Sequence, residues 1–90
     1  MERIKLHQLN KISYACPSQW IGITTNNKRI YIRYRWGILT VRKSLTNRNC
    51  IYKEVVGDEL DGHLNTVNMI HHTKDVLDYS DCVISEITED

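Results

Sequence analysis

Acidic side chains are almost missing from the first 53 residues. Glu2 is the only one there, against eleven Lys and Arg, a formal balance of +10. Residues 54–90 reverse this: Lys74 stands alone against ten acids, a balance of −9. The net charge of +1 conceals the separation. Such a split points to a charged partner, or to one half neutralising the other. Other scarcities exclude whole classes. A single proline, Pro17, and four scattered glycines mark no linker, so residues 1–90 are read as one domain. The three cysteines, Cys16, Cys50 and Cys82, lie far apart with no Cys-x-x-Cys. That spacing suits small core residues in a reducing compartment and not a disulfide framework. Met1 to His7 lack the apolar run of a signal peptide, and no stretch approaches the roughly 20 apolar residues of a membrane span. The expectation is a cytoplasmic protein with no membrane partner.

What is present suffices for a folded core: 41% of residues are hydrophobic and 26% charged. The core must be thin. A chain this short buries about 60–65% of its unfolded surface, so association of copies is an expected route to added stability.

Apolar positions at Ile4, Leu6, Leu9 and Ile12 step by about three and predict a helix within residues 1–16, stopped by Pro17. Residues 20–25, 28–35 and 38–43 read as antiparallel strands, with turns at Asn26-Asn27 and Trp36-Gly37. A fourth strand is expected over 50–56, closing a sheet that spans residues 20–56. Residues 58–79 read as helical, with Asp58 capping a helix or a single turn through Leu60 and Asn65 capping a second stretch, and 80–90 as an acidic tail whose weak alternation at Cys82, Ile84 and Glu86 leaves open an edge strand or a loose end. The predicted architecture is α+β, order α-β-β-β-β-α: a three- to four-stranded antiparallel meander with helices packed on one face.

Two-residue turns set a register. Ile23 then faces Ile30, Ile21 faces Ile32, Ile32 faces Val41 and Tyr34 faces Leu39, all on one side, since strand side chains alternate. The other side carries Trp20, Gly22, Thr24, Arg29, Tyr31, Arg33, Arg35, Thr40 and Arg42, with Lys28 nearby. Arginine forks match phosphate and carboxylate, and adjacent rings can stack on bases. The candidate binding residues are therefore Trp20, Lys28, Arg29, Tyr31, Arg33, Arg35 and Arg42. The acidic half has three readings: it covers this face, it meets the face of a second copy, or its carboxylates imitate a phosphate lattice for another protein.

Nothing in the sequence organises a reaction. His71-His72 point about 100° apart on a helix and cannot share a metal. The three acids of Gly57–Gly62 lack the alternation of a calcium loop and read as a capped turn. Cys16 has no visible feature that would lower its pKa. No catalytic residue, metal or cofactor is expected.

Cys16-Pro17-Ser18-Gln19-Trp20, followed by Tyr31-Ile32-Arg33-Tyr34-Arg35-Trp36-Gly37, resembles a pattern in small uncharacterised proteins of phages and prophages. The resemblance covers residues 14–43. It implies an origin in a mobile element, where small proteins bind and block host machinery such as CRISPR-type defence complexes. The leading expectation is a non-enzymatic module that engages a host nucleic-acid-handling protein or nucleoprotein through the basic face. The alternatives are direct binding of single-stranded nucleic acid by the same face, and a homo-oligomer with mated basic and acidic halves.

Overall fold

The computed structural model describes residues 3–14, 17–43, 50–58 and 60–85. Seven strands and one helix follow in the order β1 (Ile4–Ser13), β2 (Ser18–Thr24), β3 (Arg29–Arg35), β4 (Ile38–Arg42), β5 (Cys50–Val55), α1 (Thr66–Thr73), β6 (Leu77–Asp78) and β7 (Val83–Ser85). Of the described residues, 55% lie in strands and 11% in the helix. The α-β-β-β-β-α reading is therefore corrected. The chain forms a curled mixed sheet, a half-barrel, with strand order β5-β4-β3-β2-β1-β6 and β7 also on β1. Among the described residues no helix is long and apolar enough to cross a membrane.

The helix predicted within 1–16 is β1, and a bulge explains the misreading. Leu6 pairs with Thr24 but Gln8 pairs with Ile23, so β1 takes up an extra residue between them. The inward side chains move from even to odd numbers there, through Leu6, Leu9 and Lys11, all buried. The resulting step of three imitates a helical spacing. Lys11, 7% exposed, is one basic side chain drawn into the core. Its ammonium donates to the Leu64 carbonyl at 3.2 Å and lies 5.2 Å from the Trp20 ring centroid.

The first hairpin differs from its predicted form by one residue. The Asn27 N–H donates to the Thr24 carbonyl, the Thr24 N–H to the Lys28 carbonyl, and Asn27 alone of the turn has positive φ, at 67°. This is a three-residue loop with a left-handed last residue, not a two-residue turn. Consequently Gly22 pairs with Ile30 and Trp20 with Ile32, while Ile21 pairs with Tyr31. A shift of one exchanges the two faces of a strand. Trp20 points into the core, 1% exposed, and Gly22 makes room there for Leu6. The second hairpin matches its expected register: Tyr34 pairs with Leu39 and Ile32 with Val41.

The buried side of the sheet holds Leu6, Leu9, Trp20, Ile30, Ile32, Tyr34, Leu39 and Val41, and is closed by Leu64, Met69 and Leu77. The Trp20 indole N–H donates to Thr66 Oγ at 2.9 Å and so ties β2 to the start of α1. Asn65 caps that helix, accepting from the Asn68 N–H at 2.8 Å. Among the described residues of the predicted 58–79, helix is thus confined to eight. Asp58 caps a turn, as expected for Gly57–Gly62, accepting from the Leu60 N–H at 3.0 Å. β6 replaces helix at the end of the predicted 58–79, and β7 is an edge strand within the expected tail; both run parallel to β1, pairing Ile4 with Leu77 and Gln8 with Val83. The position expected for Cys16, and residues 86–90, fall outside the described residues.

Three tyrosines tie this core to alkaline stability. The Tyr34 hydroxyl donates to Asp61 at 2.7 Å; burial, reinforced by that carboxylate, pushes it up to about 12. Burial and the contact with Glu54 push Tyr52 up to about 12 as well, and burial raises Tyr79. A raised folded-state pKa means the stability is whole below the unfolded value near 10 and is lost as pH climbs through the folded one. Denaturation midpoints should therefore hold to about pH 10 and fall steeply between about 10 and 12. Tyr34→Phe should flatten part of that fall. A midpoint indifferent to pH up to 12 would contradict the assignment.

Candidate anion-binding face

The second hairpin positions the site. Along β3, Ile30, Ile32 and Tyr34 point inward, so Arg29, Tyr31, Arg33 and Arg35 point to the outer face. On β4 the same alternation buries Leu39 and Val41 and turns Ile38, Thr40 and Arg42 outward. Cross-strand pairing then fixes rows: Arg42 beside Tyr31 beside Ile21, and Lys53 beside Thr40 beside Arg33 beside Gln19. α1 lies on the opposite side, where Trp20 meets Thr66. The guanidinium face is therefore left uncovered by the helix.

The predicted site residues divide into three groups. Tyr31, Arg33, Arg35 and Arg42 come together. Lys28 and Arg29 border a separate hollow with Lys43 near the first hairpin. Trp20 borders one depression of the face but does not present its ring there, because the one-residue register shift buries it. Two residues that sequence reasoning passed over take part. Lys53 joins because β5 pairs it with Thr40. Trp36 joins at the tip of the β3–β4 turn, 57% exposed, with the Arg35 guanidinium carbon 4.8 Å from its ring centroid. The signal for Trp36 was its place beside Gly37: a turn centre cannot bury a large ring. The signal for Lys53 was its parity in β5, legible only once the β4 pairing is known.

Two depressions meet on the face. One is lined by Ile12, Gln19, Trp20, Ile21, Tyr31, Ile32, Arg33, Thr40 and Arg42. The other, about 210 Å³, is lined by Arg33, Arg35, Trp36, Ile38, Thr40, Arg42 and Lys53. It has room for a group several times a water's share of about 30 Å³. Arg42 lines both, and its Nε is buried with no hydrogen-bond partner among the described residues.

Among the described residues no acid pairs with a cation of this face. Among the described residues the ion pairs are Lys5 with Asp81 at 2.9 Å and His72 with Glu54 at 3.2 Å, and neither reaches it. Asp61 is engaged by Tyr34, whose hydrogen bond is the first cause holding its carboxyl below the usual range. Four cations thus share one surface with no carboxylate partner among the described residues. What such a surface can do is hold anions and stack planar groups. His71 and His72 have ring centroids 5.7 Å apart, edge to face, and no three His, Cys, Asp or Glu of the described residues converge as metal ligands. Burial pushes the Cys82 thiol up, away from the reactive thiolate.

No protein-family model matches the chain, no curated protein matches it, and no solved structure matches its fold.

Proposed function

We propose that the protein is a non-enzymatic binding module whose outer sheet face, built on Arg33, Arg35, Arg42 and Lys53, docks an anionic macromolecular surface. The observation that carries this reading is the absence of any carboxylate within ion-pair distance of those four cations among the described residues, in a chain with eleven acids. Leaving like charges crowded on one face costs energy in the free protein, and an anionic partner removes that cost. An acidic surface on a host nucleic-acid-handling protein, of the kind the phage resemblance implies, carries such charge. So does a nucleic-acid strand, and the exposed Trp36 beside Arg35 favours this second partner.

Charge reversal tests the reading. Arg33→Glu with Arg35→Glu should abolish binding to oligothymidylate and to polyglutamate, while the folding free energy changes by no more than about 1 kcal/mol, since both side chains leave the core face. For a single strand held by four cations, log affinity should fall against log salt with a slope near −3. Unfolding of the double variant, or unchanged binding by it, sinks the proposal.

A further inference from the structure

We infer that Arg35 and Trp36 form a stacking platform for an unpaired nucleobase, so that the anionic partner is a single-stranded nucleic acid. This rests on the binding reading above and names its ligand.

The first observation is conformational. Trp36 sits at φ 58° and Gly37 at φ 72°, both left-handed. That geometry matches the turn favoured between twisted antiparallel strands, whose preferred residues are Asn-Gly. A tryptophan in the left-handed region is an outlier for a bulky side chain. The turn is nevertheless held firmly from below. The Gly37 N–H donates to the Asp61 carbonyl at 2.8 Å, and the Gly37 carbonyl accepts from Val56 and Gly57 at 2.8 and 3.1 Å. The strained residue is thus fixed by its neighbour's backbone while its own ring stands out in solvent. Strain of this kind, with nothing buried in return, has a purpose outside the core.

The second observation is what surrounds the ring. The Arg35 guanidinium lies against it, and the adjoining depression gathers Arg33, Arg42 and Lys53. Successive outward positions on β3 are about 6.7 Å apart, so Arg35 and Arg33 offer charge at repeated intervals leading away from the indole. A nucleotide has both parts that this arrangement fits: a planar π-face for the ring and a phosphate for the cations. An acidic peptide would use the cations and leave the indole idle. A duplex hides its base faces in its own stack. Single-stranded nucleic acid uses all of the surface, and stacking on an aromatic ring tolerates any sequence.

The test uses the full chain and four labelled probes at low salt: an oligothymidylate of about 15 nucleotides, an abasic strand with the same phosphates, a hairpin duplex, and polyglutamate. Binding is read by anisotropy, and stacking by quenching of the solvent-exposed tryptophan emission. The oligothymidylate should quench that emission and bind about tenfold more tightly than the abasic strand. The key variant is Trp36→Asn. Asparagine suits the turn, so the variant should fold and gain stability, yet it should lose about tenfold in oligothymidylate affinity and nothing for the abasic strand. Trp36→Phe, which keeps a ring, should restore part of the loss. Equal affinity for the two strands overturns the stacking inference and leaves the basic-face reading standing. So does a Trp36→Asn variant that binds oligothymidylate like the parent, or a preference for the duplex or polyglutamate. Failure of every anionic probe overturns both.

Discussion

Trp20→Ala should lower the folding free energy by about 3–5 kcal/mol, the range for removing a fully buried large aromatic. A domain of this size holds roughly 5–14 kcal/mol in total, so the loss takes a large share of it. The melting temperature should drop by roughly 15–30 °C. Three contributions add at this position. The ring is 1% exposed between β2 and α1. Its N–H is the partner of Thr66 Oγ, which is left buried and without its donor in the variant. The Lys11 ammonium, itself buried, loses the ring face 5.2 Å away. Thermal and denaturant unfolding followed by circular dichroism would measure the effect. Had β2 kept the register of a two-residue turn, Trp20 would lie outside, and its removal would weaken binding while sparing stability. A stable Trp20→Ala protein with impaired binding would reverse the assignment of faces.

The second large effect is expected at Gly37, where alanine should cost about 2–4 kcal/mol. Two requirements coincide. The φ of 72° is left-handed, which alone disfavours a side chain. The stronger requirement is steric: a Cβ would run into the Asp58 carbonyl oxygen and lie 2.5 Å from that of Gly57. Both are backbone atoms and cannot swing aside. They are held there by hydrogen bonds from Val56 and Gly57 to the Gly37 carbonyl, and by the bond from Tyr34 to Asp61. Gly37→Asn separates the two requirements, because asparagine accepts the left-handed backbone but brings the same Cβ. Loss of stability equal to that of Gly37→Ala identifies the carbonyl wall as the cause. A tolerated Gly37→Asn would show that φ is the whole requirement and that the 57–58 segment yields.

The two tryptophans show how the face was only partly legible. Reading from the turns outward places Trp20 on the binding face and gives Trp36 no role beyond the turn. The structure exchanges them. Arg33, Arg35, Arg42 and Tyr31 were recoverable because β3 and β4 alternate without interruption and their turn is short. Lys53 required a pairing across residues 43–50, which no local pattern supplies.

What the residues determined by themselves was the β3–β4 hairpin, its inward Ile32, Tyr34, Leu39 and Val41, its outward arginines, and the helix cap at Asn65. Each depends on neighbours a few positions away, through alternation, turn chemistry or a side chain reaching its own backbone. What only the tertiary structure decided was the identity of β1 as a strand, the face of Trp20, the strand β6, and the partner of β7. The bulge in β1 takes its meaning from Thr24 and Ile23 opposite. The extra loop residue before Lys28 shifts a register that only the filled core can select. The short strand at 77–78 has no period of its own and the one at 83–85 only a weak alternation; both are strands because the open edge of β1 offers hydrogen bonds more than seventy residues away in the chain.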